Sequence, residues 1–217
     1  MNVETTYAHR FDRIERDRSI VWKVLTRHFF QRWVGPADVV LDLGAGYCEF
    51  INNISAGRKY ALDLNPVTPS KADSDVTVYS HDAAMPWPLP ADSVDLVFTS
   101  NFFEHLESKK ALISCLAEIR RVLRPGGIFI ALGPNIRHCY DVYWDFIDHY
   151  LPLSDRSLVE AIELVGLRID EVIPRFLPYT MSGKKPPSRF LLRFYLKLRF
   201  VWPMFGKQFL IVAGKHV

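Results

Sequence analysis

The chain has 217 residues, 49% of them hydrophobic, and a formal net charge of +3 at pH 7. This length and composition predict one soluble domain with a sizeable buried core. No uncharged apolar run reaches about 18 residues, which excludes a membrane span, and the charged N-terminus excludes a secretory signal, so we expect a cytoplasmic protein.

The spacing of the cysteines and the distribution of charged residues limit the kinds of site that the chain can contain. Cys48, Cys115 and Cys139 are far apart in sequence and include no C-x-x-C pair, so we predict reduced packing thiols, with neither disulfides nor a metal site. Basic residues are concentrated from Lys184 to Lys207, where there are seven and no acid, which leaves 20 basic against 24 acidic residues elsewhere. One segment therefore carries the basic character of the chain.

The first predicted element is a helix within about residues 9–34, where apolar residues fall near helical spacing until Gly35 and Pro36 end the pattern. Five apolar runs follow, each with the length of a buried strand. Their sequences are DVVLDL, KYALDL, VTVYS, VDLVFTS and IFIALG. A strongly periodic helix, EHLESKKALISCLAEIRRVL, lies between the last two runs, whereas the link NPVTPSKADS predicts a short helix or none.

The C-terminal third continues the alternation of helix and strand. An N-cap signal at Ser154 begins a helix in SDRSLVEAIELVG. Two strands follow at about 167–174 and 208–213, with the basic segment between them. Alternating strands and helices are typical of a parallel, doubly wound sheet.

The stretch VVLDLGAGYCEF joins the first strand to a loop with spaced glycines. In an open parallel sheet, a loop such as that of Gly44 and Gly46 brings backbone and a helix N-terminus close to a ligand at the carboxyl edge. Asp63 ends the second strand, where its carboxylate could accept hydrogen bonds from ribose hydroxyls. Asp42 would repel a pyrophosphate but suit an ammonium group, and Glu49 stands where a dinucleotide fingerprint has its third glycine. These residues indicate an adenosine-type cofactor with an amino acid tail.

This loop resembles the first motif of the class I S-adenosylmethionine-dependent methyltransferases, acid-x-Gly-x-Gly-x-Gly, with Cys48 in place of the last glycine. The resemblance extends from about residue 39 to the end, and includes SNFFEHL after the fourth strand and RVLRPGGIFI before the fifth. It implies S-adenosylmethionine as the cofactor and a single domain over residues 1–217. The implied fold is Rossmann-like α/β, with a seven-stranded, mostly parallel sheet, a reversed last strand and helices on both faces.

By the same resemblance, residues at the ends of four strands would contact the cofactor. Asp63 would hold the ribose. Asp82 would meet the adenine amino group, with Ala83 beside it. Asn101 and Phe102 would lie at the cofactor edge. The implied set of cofactor contacts is Asp42, Gly44, Ala45, Gly46, Cys48, Asp63, Leu64, Asp82, Ala83, Asn101 and Phe102.

Methyl transfer to an oxygen depends on positioning in a dry pocket and on a group that removes the acceptor proton. Candidates lie in NFFEHL after the fourth strand and PNIRHCYDVYWDFIDHY after the fifth. We predict His149 as the general base, with Asp148 or Asp145 orienting it or the substrate. His105 is the second candidate. The structural alternative is that His105 caps its helix and His149 is a satisfied loop histidine.

The same segment offers substrate contacts. Tyr143 and Trp144 could stack on a sugar or another ring, and Arg137, just beyond the fifth strand, could meet an anionic acceptor. Methyltransferases of exocyclic amines on nucleic acid bases resemble one another in an Asn/Asp-Pro-Pro-aromatic box after strand four. This chain has SNFFEHL there, so base methylation is disfavoured.

An insert of about residues 175–206 separates the last two predicted strands and leaves from the cofactor edge. Within it, PPSRFLLRFYLKLRFVW predicts an amphipathic helix. Its basic side comprises Arg189, Arg193 and Lys197, and its apolar side comprises Phe190, Leu191, Phe194, Tyr195, Leu198 and Trp202. Residues 187–202 could lie on an anionic membrane surface, or the helix could pack on the sheet as a lid with solvated arginines.

Several stretches together are similar to bacterial methyltransferases of cell-surface glycan and lipopolysaccharide biosynthesis: LDLGAGYCEFINNI, SNFFEHL, GPNIR, YWDFIDH, FLPYT and GKQFLIVA. The resemblance implies O-methylation of a saccharide or lipid-linked saccharide precursor, at the inner face of the cell membrane. Two alternatives stay open: a methyltransferase of an anionic small molecule, and a noncatalytic cofactor-binding module that docks on a membrane-bound biosynthetic complex. Nucleic acid is a disfavoured partner because the basic segment is also apolar and the rest of the chain is acidic. No oligomeric state is predicted.

Overall fold

One mixed sheet organises the protein. The computed structural model describes residues 15–179 and 188–216, with side chains from residue 18 onward. The strands are β1 (Val39–Leu43), β2 (Arg58–Leu62), β3 (Val76–Tyr79), β4 (Val94–Ser100), β5 (Leu123–Pro134), β6 (Arg168–Leu177) and β7 (Gln208–Gly214). Within the described residues they form a single sheet in the order β3-β2-β1-β4-β5-β7-β6.

Helices of very different length connect the strands. The α-helices are α1 (Glu15–His28), α2 (Thr68–Lys71), α3 (Lys109–Val122), α4 (Ile136–Tyr143), α5 (Asp155–Leu164), α6 (Arg189–Lys197) and α7 (Trp202–Phe205). Short 3-10 helices cover Phe30–Trp33, Phe103–His105 and Arg199–Val201. None of these described helices is long and apolar enough to cross a membrane.

The centre of the sheet creates a crevice at its carboxyl edge. β1 pairs in parallel with β2 on one side and with β4 on the other, so the direction of strand progression reverses between β1 and β4. Thr99 Oγ1 donates a hydrogen bond of 2.8 Å to the Leu43 carbonyl and ties the two strands together at this edge. Ligands of open α/β sheets bind at such a switch point.

The last strand runs opposite to its neighbours, as predicted. β7 pairs antiparallel with both β5 and β6. β6 reaches Leu177, beyond the predicted end near residue 174, because Leu177 pairs with Gln208 across the base of the insert. The fold is therefore the seven-stranded, Rossmann-like arrangement with a reversed last strand.

Two hydrophobic cores fill the two faces of the sheet. Because side chains alternate along a strand, Leu41 and Leu43 of β1 face one core and Val40 faces the other. Helices α3 and α5 cover the first core, whereas α1 and α6 cover the second. The predicted helices on both faces are confirmed.

The second core is rich in aromatic rings that join distant segments. Phe98 of β4 stacks on Phe50, with ring centroids 3.8 Å apart, and contacts Phe30 edge-on at 5.0 Å. Phe29 stacks on Phe176 of β6 at 4.5 Å. These contacts, favourable for offset and edge-to-face rings, connect the turn after α1, the segment after β1 and the far side of the sheet.

Two predicted helices differ from those in the structure. α1 ends at His28 and a 3-10 turn follows, while residues 9–14 of the predicted leading helix lie outside the described residues. The helix N-terminus expected after β1 is absent from the structure, where residues 44–53 form successive turns. Gly44, Gly46 and Cys48 have positive φ angles, which interrupt helical hydrogen bonding.

In the insert, residues 180–187 lie outside the described residues.

Phe98→Ala tests the aromatic core. Because the ring is buried and stacked, we expect the free energy of unfolding to fall by about 3–5 kcal/mol, measured by urea unfolding followed by circular dichroism. Phe190→Ala is the matched control, since that ring is 80% exposed. The control should change stability by less than about 0.5 kcal/mol, and equal losses in both variants would contradict the packing assigned to Phe98.

Candidate functional site

The loop after β1 has a left-handed backbone at three alternate positions. Gly44, Gly46 and Cys48 have φ angles of 67°, 51° and 58°. Glycine adopts this conformation without steric cost, whereas a cysteine does not. Cys48 therefore preserves the loop shape at the position where the family resemblance expects glycine.

Burial makes Cys48 a packing residue. Its side chain is fully buried, and its thiol lies 3.7 Å from the Thr68 carbonyl. Burial, with a contribution from nearby carboxylates, raises the pKa of Cys48 to about 12, so the thiol is neutral at pH 7. Cys115 and Cys139 are also free and buried, which agrees with the predicted reduced packing thiols.

Neighbouring elements hold this loop from two sides. The buried Thr68 of α2 donates a hydrogen bond of 2.8 Å from Oγ1 to the Gly46 carbonyl. Asn52 Nδ2 donates to the Lys71 carbonyl at 2.8 Å. From the other side, Arg18 of α1 forms an ion pair with Glu49. The loop is thus fixed before any ligand binds.

The Asp63 carboxylate is bonded directly to the loop. Its Oδ2 accepts a hydrogen bond of 2.6 Å from the Gly46 amide, and its Oδ1 accepts one of 2.7 Å from the Asn65 amide. Burial raises the pKa of Asp63, although both amides and the charge of His105 oppose the shift. Leu64, the next residue, is exposed.

Asp42 adds a second carboxyl group beneath the loop. It is 3% exposed. Burial holds the pKa of Asp42 well above its usual range, an amide hydrogen bond from Ile51 opposes this, and the charges of Asp63 and Glu49 add to it. A bound cation would relieve this cost, so the edge between β1 and β2 favours a positively charged ligand group.

At the end of β4, Asn101 and Phe102 close over the glycine loop. Asn101 has a φ of 50° and its amide donates to the Leu132 carbonyl at 2.9 Å. Its buried Oδ1 accepts no hydrogen bond from the described residues, so it can accept one from a ligand. A Cβ added at Gly44 would lie 2.4 Å from Phe102 Cγ, which shows how closely the ring approaches the loop backbone.

The segment after β3 forms a tight turn. Asp82 is exposed, and its Oδ1 accepts a hydrogen bond of 2.8 Å from the Ala84 amide. Ala83 is buried, and its carbonyl accepts a hydrogen bond of 3.0 Å from Trp87 Nε1. This turn presents the Asp82 carboxylate to solvent at the edge of the sheet.

A carboxyl group and two imidazoles converge close to the loop. Each of Glu104, His105 and His149 places one polar atom within 4.8 Å of the other two. Glu104 is 3% exposed and His149 is 6% exposed. The amides of Tyr150 and Leu151 both donate to the Glu104 carbonyl, at 2.8 and 3.1 Å, and so join the two predicted catalytic segments.

Hydrogen bonding fixes the His105 ring. Its Nδ1 lies 2.8 Å from the Asp148 carbonyl, which can only accept, so Nδ1 carries a hydrogen and, in the neutral ring, Nε2 carries the lone pair. Asp148 Oδ2 is also near, 3.5 Å from the same nitrogen. The Asp148 carbonyl therefore orients His105, and the orientation of His149 or the substrate by Asp148 or Asp145 stays a prediction. Asp145 is exposed.

Glu104 was not predicted from the sequence. Burial raises the pKa of Glu104, the charge of His105 opposes the shift, and Asp148 adds to it. The signal that could have found it is an acid between buried apolar neighbours, Phe103 and Leu106, in FFEHL. A carboxyl group at such a position must face either a partner or a ligand.

The predicted substrate contacts separate into exposed and buried groups. Trp144 is 59% exposed and offers a ring face, whereas Tyr143 is fully buried. The Tyr143 hydroxyl donates to the Leu151 carbonyl, burial raises the pKa of this tyrosine, and its ring centroid lies 4.7 Å from that of His149. Tyr143 thus supports His149 instead of facing solvent.

Arg137 is engaged inside the fold. Its Nη1 lies 3.0 and 3.3 Å from the two carboxylate oxygens of Asp155, which also accepts a hydrogen bond of 2.8 Å from Asn135 Nδ2. Burial alone would raise the pKa of Asp155, but the bonds from Asn135 and Arg137 lower it below its usual value. The guanidinium joins α4 to α5, and a role in holding an anionic acceptor would require this ion pair to open.

Comparison with known proteins finds a matching family model, a relative and solved structures of similar fold. Residues 41–131, from β1 to β5, match the family model described as "Methyltransferase domain". The part of the chain from β1 to β5 is therefore similar to methyltransferase domains. A Mycolicibacterium smegmatis protein described as "Probable S-adenosylmethionine-dependent methyltransferase" is 28% identical over 159 residues, or 71% of this chain. The alignment spans 60% of that relative's length.

Solved structures share the fold of this chain. An S-adenosylmethionine-dependent methyltransferase from Archaeoglobus fulgidus is 21% identical with a TM-score of 0.68, over 93% of this chain and 97% of that one. A complex between the Haloferax volcanii Trm112 methyltransferase activator and a methyltransferase gives 22% identity and a TM-score of 0.65, over 94% and 95% of the two chains.

The residues around the glycine loop fit S-adenosylmethionine as the cofactor. S-adenosylmethionine, when bound, supplies a methyl group on a positively charged sulfur. The carboxyl groups of Asp42 and Asp63 provide the negative potential that such a ligand needs. The buried Oδ1 of Asn101 is an acceptor for a ligand donor, and the bare backbone at Gly44 leaves room beside Phe102.

The Glu104, His105 and His149 cluster has a second chemical capacity. Two imidazole nitrogens and one carboxylate oxygen are a ligand set that divalent transition metals accept. It is a group of described residues with suitable atoms close enough to hold a metal ion, at distances that would have to shorten on binding. The cysteine pattern, on which the prediction of no metal depended, does not bear on this set.

Gly44→Ala should weaken cofactor binding, because the new Cβ would collide with Phe102 in a backbone with a φ of 67°. We expect the Kd for S-adenosylmethionine, measured by calorimetric titration, to rise about a hundredfold or more, which corresponds to about 2.8 kcal/mol. Gly126→Ala is the control, since its φ of 81° imposes the same backbone strain but nothing lies within 4 Å of the added atom. Binding lost in both variants would contradict the assigned collision.

Proposed function

We propose that the chain methylates a hydroxyl oxygen of a saccharide or lipid-linked saccharide precursor, at the inner face of the cell membrane. The observation that carries this proposal is the Glu104, His105 and His149 cluster beside the cofactor loop. His105 acts electrostatically on Asp63, so the cluster lies within range of the proposed ribose site. A hydroxyl acceptor needs such a proton-accepting group, whereas a free amine or thiolate needs it less.

In this proposal the imidazoles take the acceptor proton and Glu104 stabilises the resulting positive charge. His149 is the proposed base, and His105, with its Nε2 lone pair, is the second candidate. The buried carboxyl group of Glu104 favours protonation of a nearby imidazole when it is ionised. The exposed ring of Trp144 provides a face on which a sugar can stack.

His149→Asn tests the proposed base. We expect kcat to fall about a hundredfold or more, with an unchanged Kd for S-adenosylmethionine, in an assay of S-adenosylhomocysteine formation. Glu104→Gln should move the acidic limb of the pH profile to lower pH, because removing a nearby negative charge lowers the pKa of the base. Tyr143→Phe, which keeps the ring but removes the hydroxyl, is the packing control. An unchanged kcat in both His149→Asn and His105→Asn would refute proton acceptance by this cluster.

The acceptor panel separates the proposal from its alternatives. It contains lipid-linked sugars, nucleotide sugars and small carboxylic acids, each assayed with and without a metal chelator. Turnover of small carboxylic acids alone would favour the methyltransferase of anionic small molecules. Tight cofactor binding without turnover of any acceptor would favour the noncatalytic module. Activity that is lost with the chelator and restored by a divalent cation would favour metal binding by the histidines.

The membrane part of the proposal depends on the exposed surface of α6 and α7. Leu192 and Leu196 are buried against the second core, so one side of α6 packs on the protein. Sequence reasoning treated the apolar residues as one sector, but the structure divides them. A set of large apolar side chains stays exposed: Phe190, Leu191, Phe194, Phe200, Met204 and Phe205.

This exposed apolar surface lies beside a basic row. Arg189, Arg193 and Lys197 are exposed on the same helix. Apolar groups that enter the lipid interface next to cations that meet anionic headgroups are typical of helices that lie on membranes. We therefore propose an anionic bilayer as the partner of this surface.

Phe190→Ser combined with Phe194→Ser should weaken binding to vesicles of equal parts phosphatidylcholine and phosphatidylglycerol. Each buried aromatic ring contributes about 1.5–3 kcal/mol, so even partial insertion predicts a loss of about tenfold or more in cosedimentation. Leu164→Ser combined with Met85→Ser removes two exposed apolar groups elsewhere and is the matched control. Equal binding by both double variants would refute insertion through α6.

A further inference from the structure

A cavity of about 420 Å³ lies between α1 and α6, on the outer side of the second core. Its lining includes Asn53 from the segment after β1. Five basic side chains from the two helices also line it: Lys23, Arg27, His28, Arg189 and Arg193. None of the predicted cofactor or substrate contacts is among its lining residues.

Within residues 15–179 and 188–216, the arginines and the lysine of this cavity have no acidic partner. Neither Lys23, Arg27, Arg189 nor Arg193 forms an ion pair with a carboxylate of the described residues. By contrast, the exposed Arg124 is paired with Asp95 and the exposed Arg199 with Glu171. Like charges brought together on two packed helices repel one another, and the repulsion is offset only by a bound anion or by solvent ions.

The pKa of His28 reflects the positive charge around the cavity. Burial lowers the pKa of His28, and the charges of Arg193, Arg27 and Lys197 lower it further. Cations from both helices therefore act on the same point. A helix face that is merely solvated would spread its charges, whereas here two faces converge.

We infer that this cavity binds phosphate groups. Guanidinium groups match phosphate oxygens with paired hydrogen bonds, and several fixed cations in one cavity suit a ligand with more than one negative charge better than a single carboxylate. The volume is in the range of small-ligand sites, about 300–1,000 Å³. The phosphate can belong to a soluble pyrophosphate compound or to the headgroup of an acidic phospholipid. This inference goes beyond the transfer reaction and does not depend on it.

The test uses the full chain and two probes. Inorganic pyrophosphate is titrated by calorimetry, and vesicles of pure phosphatidylcholine or of equal parts phosphatidylcholine and phosphatidylglycerol are used in flotation. Arg27→Gln combined with Arg193→Gln should weaken binding of the effective probe about tenfold or more, because charge-assisted hydrogen bonds are lost. Arg120→Gln combined with Arg156→Gln removes the same charge from exposed positions outside the cavity and is the matched control.

The outcomes are distinct. Pyrophosphate binding that is lost only in the cavity variant establishes the site for soluble phosphates. Vesicle binding lost in the same way, without pyrophosphate binding, establishes it for headgroups. In either case the His28 pKa, followed by NMR, should rise when the probe binds. Binding of neither probe, or equal weakening in both double variants, would overturn the inference. The Phe190→Ser and Phe194→Ser variant should keep pyrophosphate binding, which separates this site from the proposed membrane insertion.

Discussion

The left-handed backbone of the loop after β1 is the constraint on which the rest of the site depends. Three alternate residues with positive φ turn the chain at the end of β1, and the Gly46 amide is thereby directed to Asp63. The same turn brings Gly44 under Phe102, which connects β1 to β4 at the switch point of the sheet. Cys48 shows that this shape is imposed by its surroundings, because a residue with a side chain keeps the conformation where glycine would be the easier choice.

Buried carboxyl groups on one side of the protein and clustered cations on the other lower the free energy of unfolding. Asp42 and Glu104 have pKa values raised by burial, so the folded protein holds their protons more tightly than the unfolded chain does. The free energy of unfolding therefore falls as the pH rises from the ordinary carboxyl pKa toward the raised value. On the other face, the cations that line the cavity between α1 and α6 have no carboxylate partner among the described residues and repel one another. A cation bound near the buried carboxyl groups, or an anion bound near the clustered cations, would therefore stabilise the folded protein.

Local sequence pattern predicted much of the fold because strands, turns and caps are local. The five apolar runs became β1 to β5, and Ser154 caps α5 through a capping box. The sequence pattern did not predict the surroundings of side chains that depend on contacts between distant segments. Tyr143 looked like a stacking residue and is buried, and Glu104 gained its meaning only when the loop after α4 closed on it. The cations of α1 and α6 are far apart in sequence, so no local pattern could place them in one cavity.

The insert between β6 and β7 is closed at its base by the pair of Leu177 and Gln208. The sheet therefore completes its register without any contribution from α6 or α7. A segment joined in this way can change length and composition over evolution while the residues around the glycine loop stay the same. The glycine loop and the insert are thus structurally independent, so substitutions on the exposed side of α6 and α7 need not move the residues around the loop.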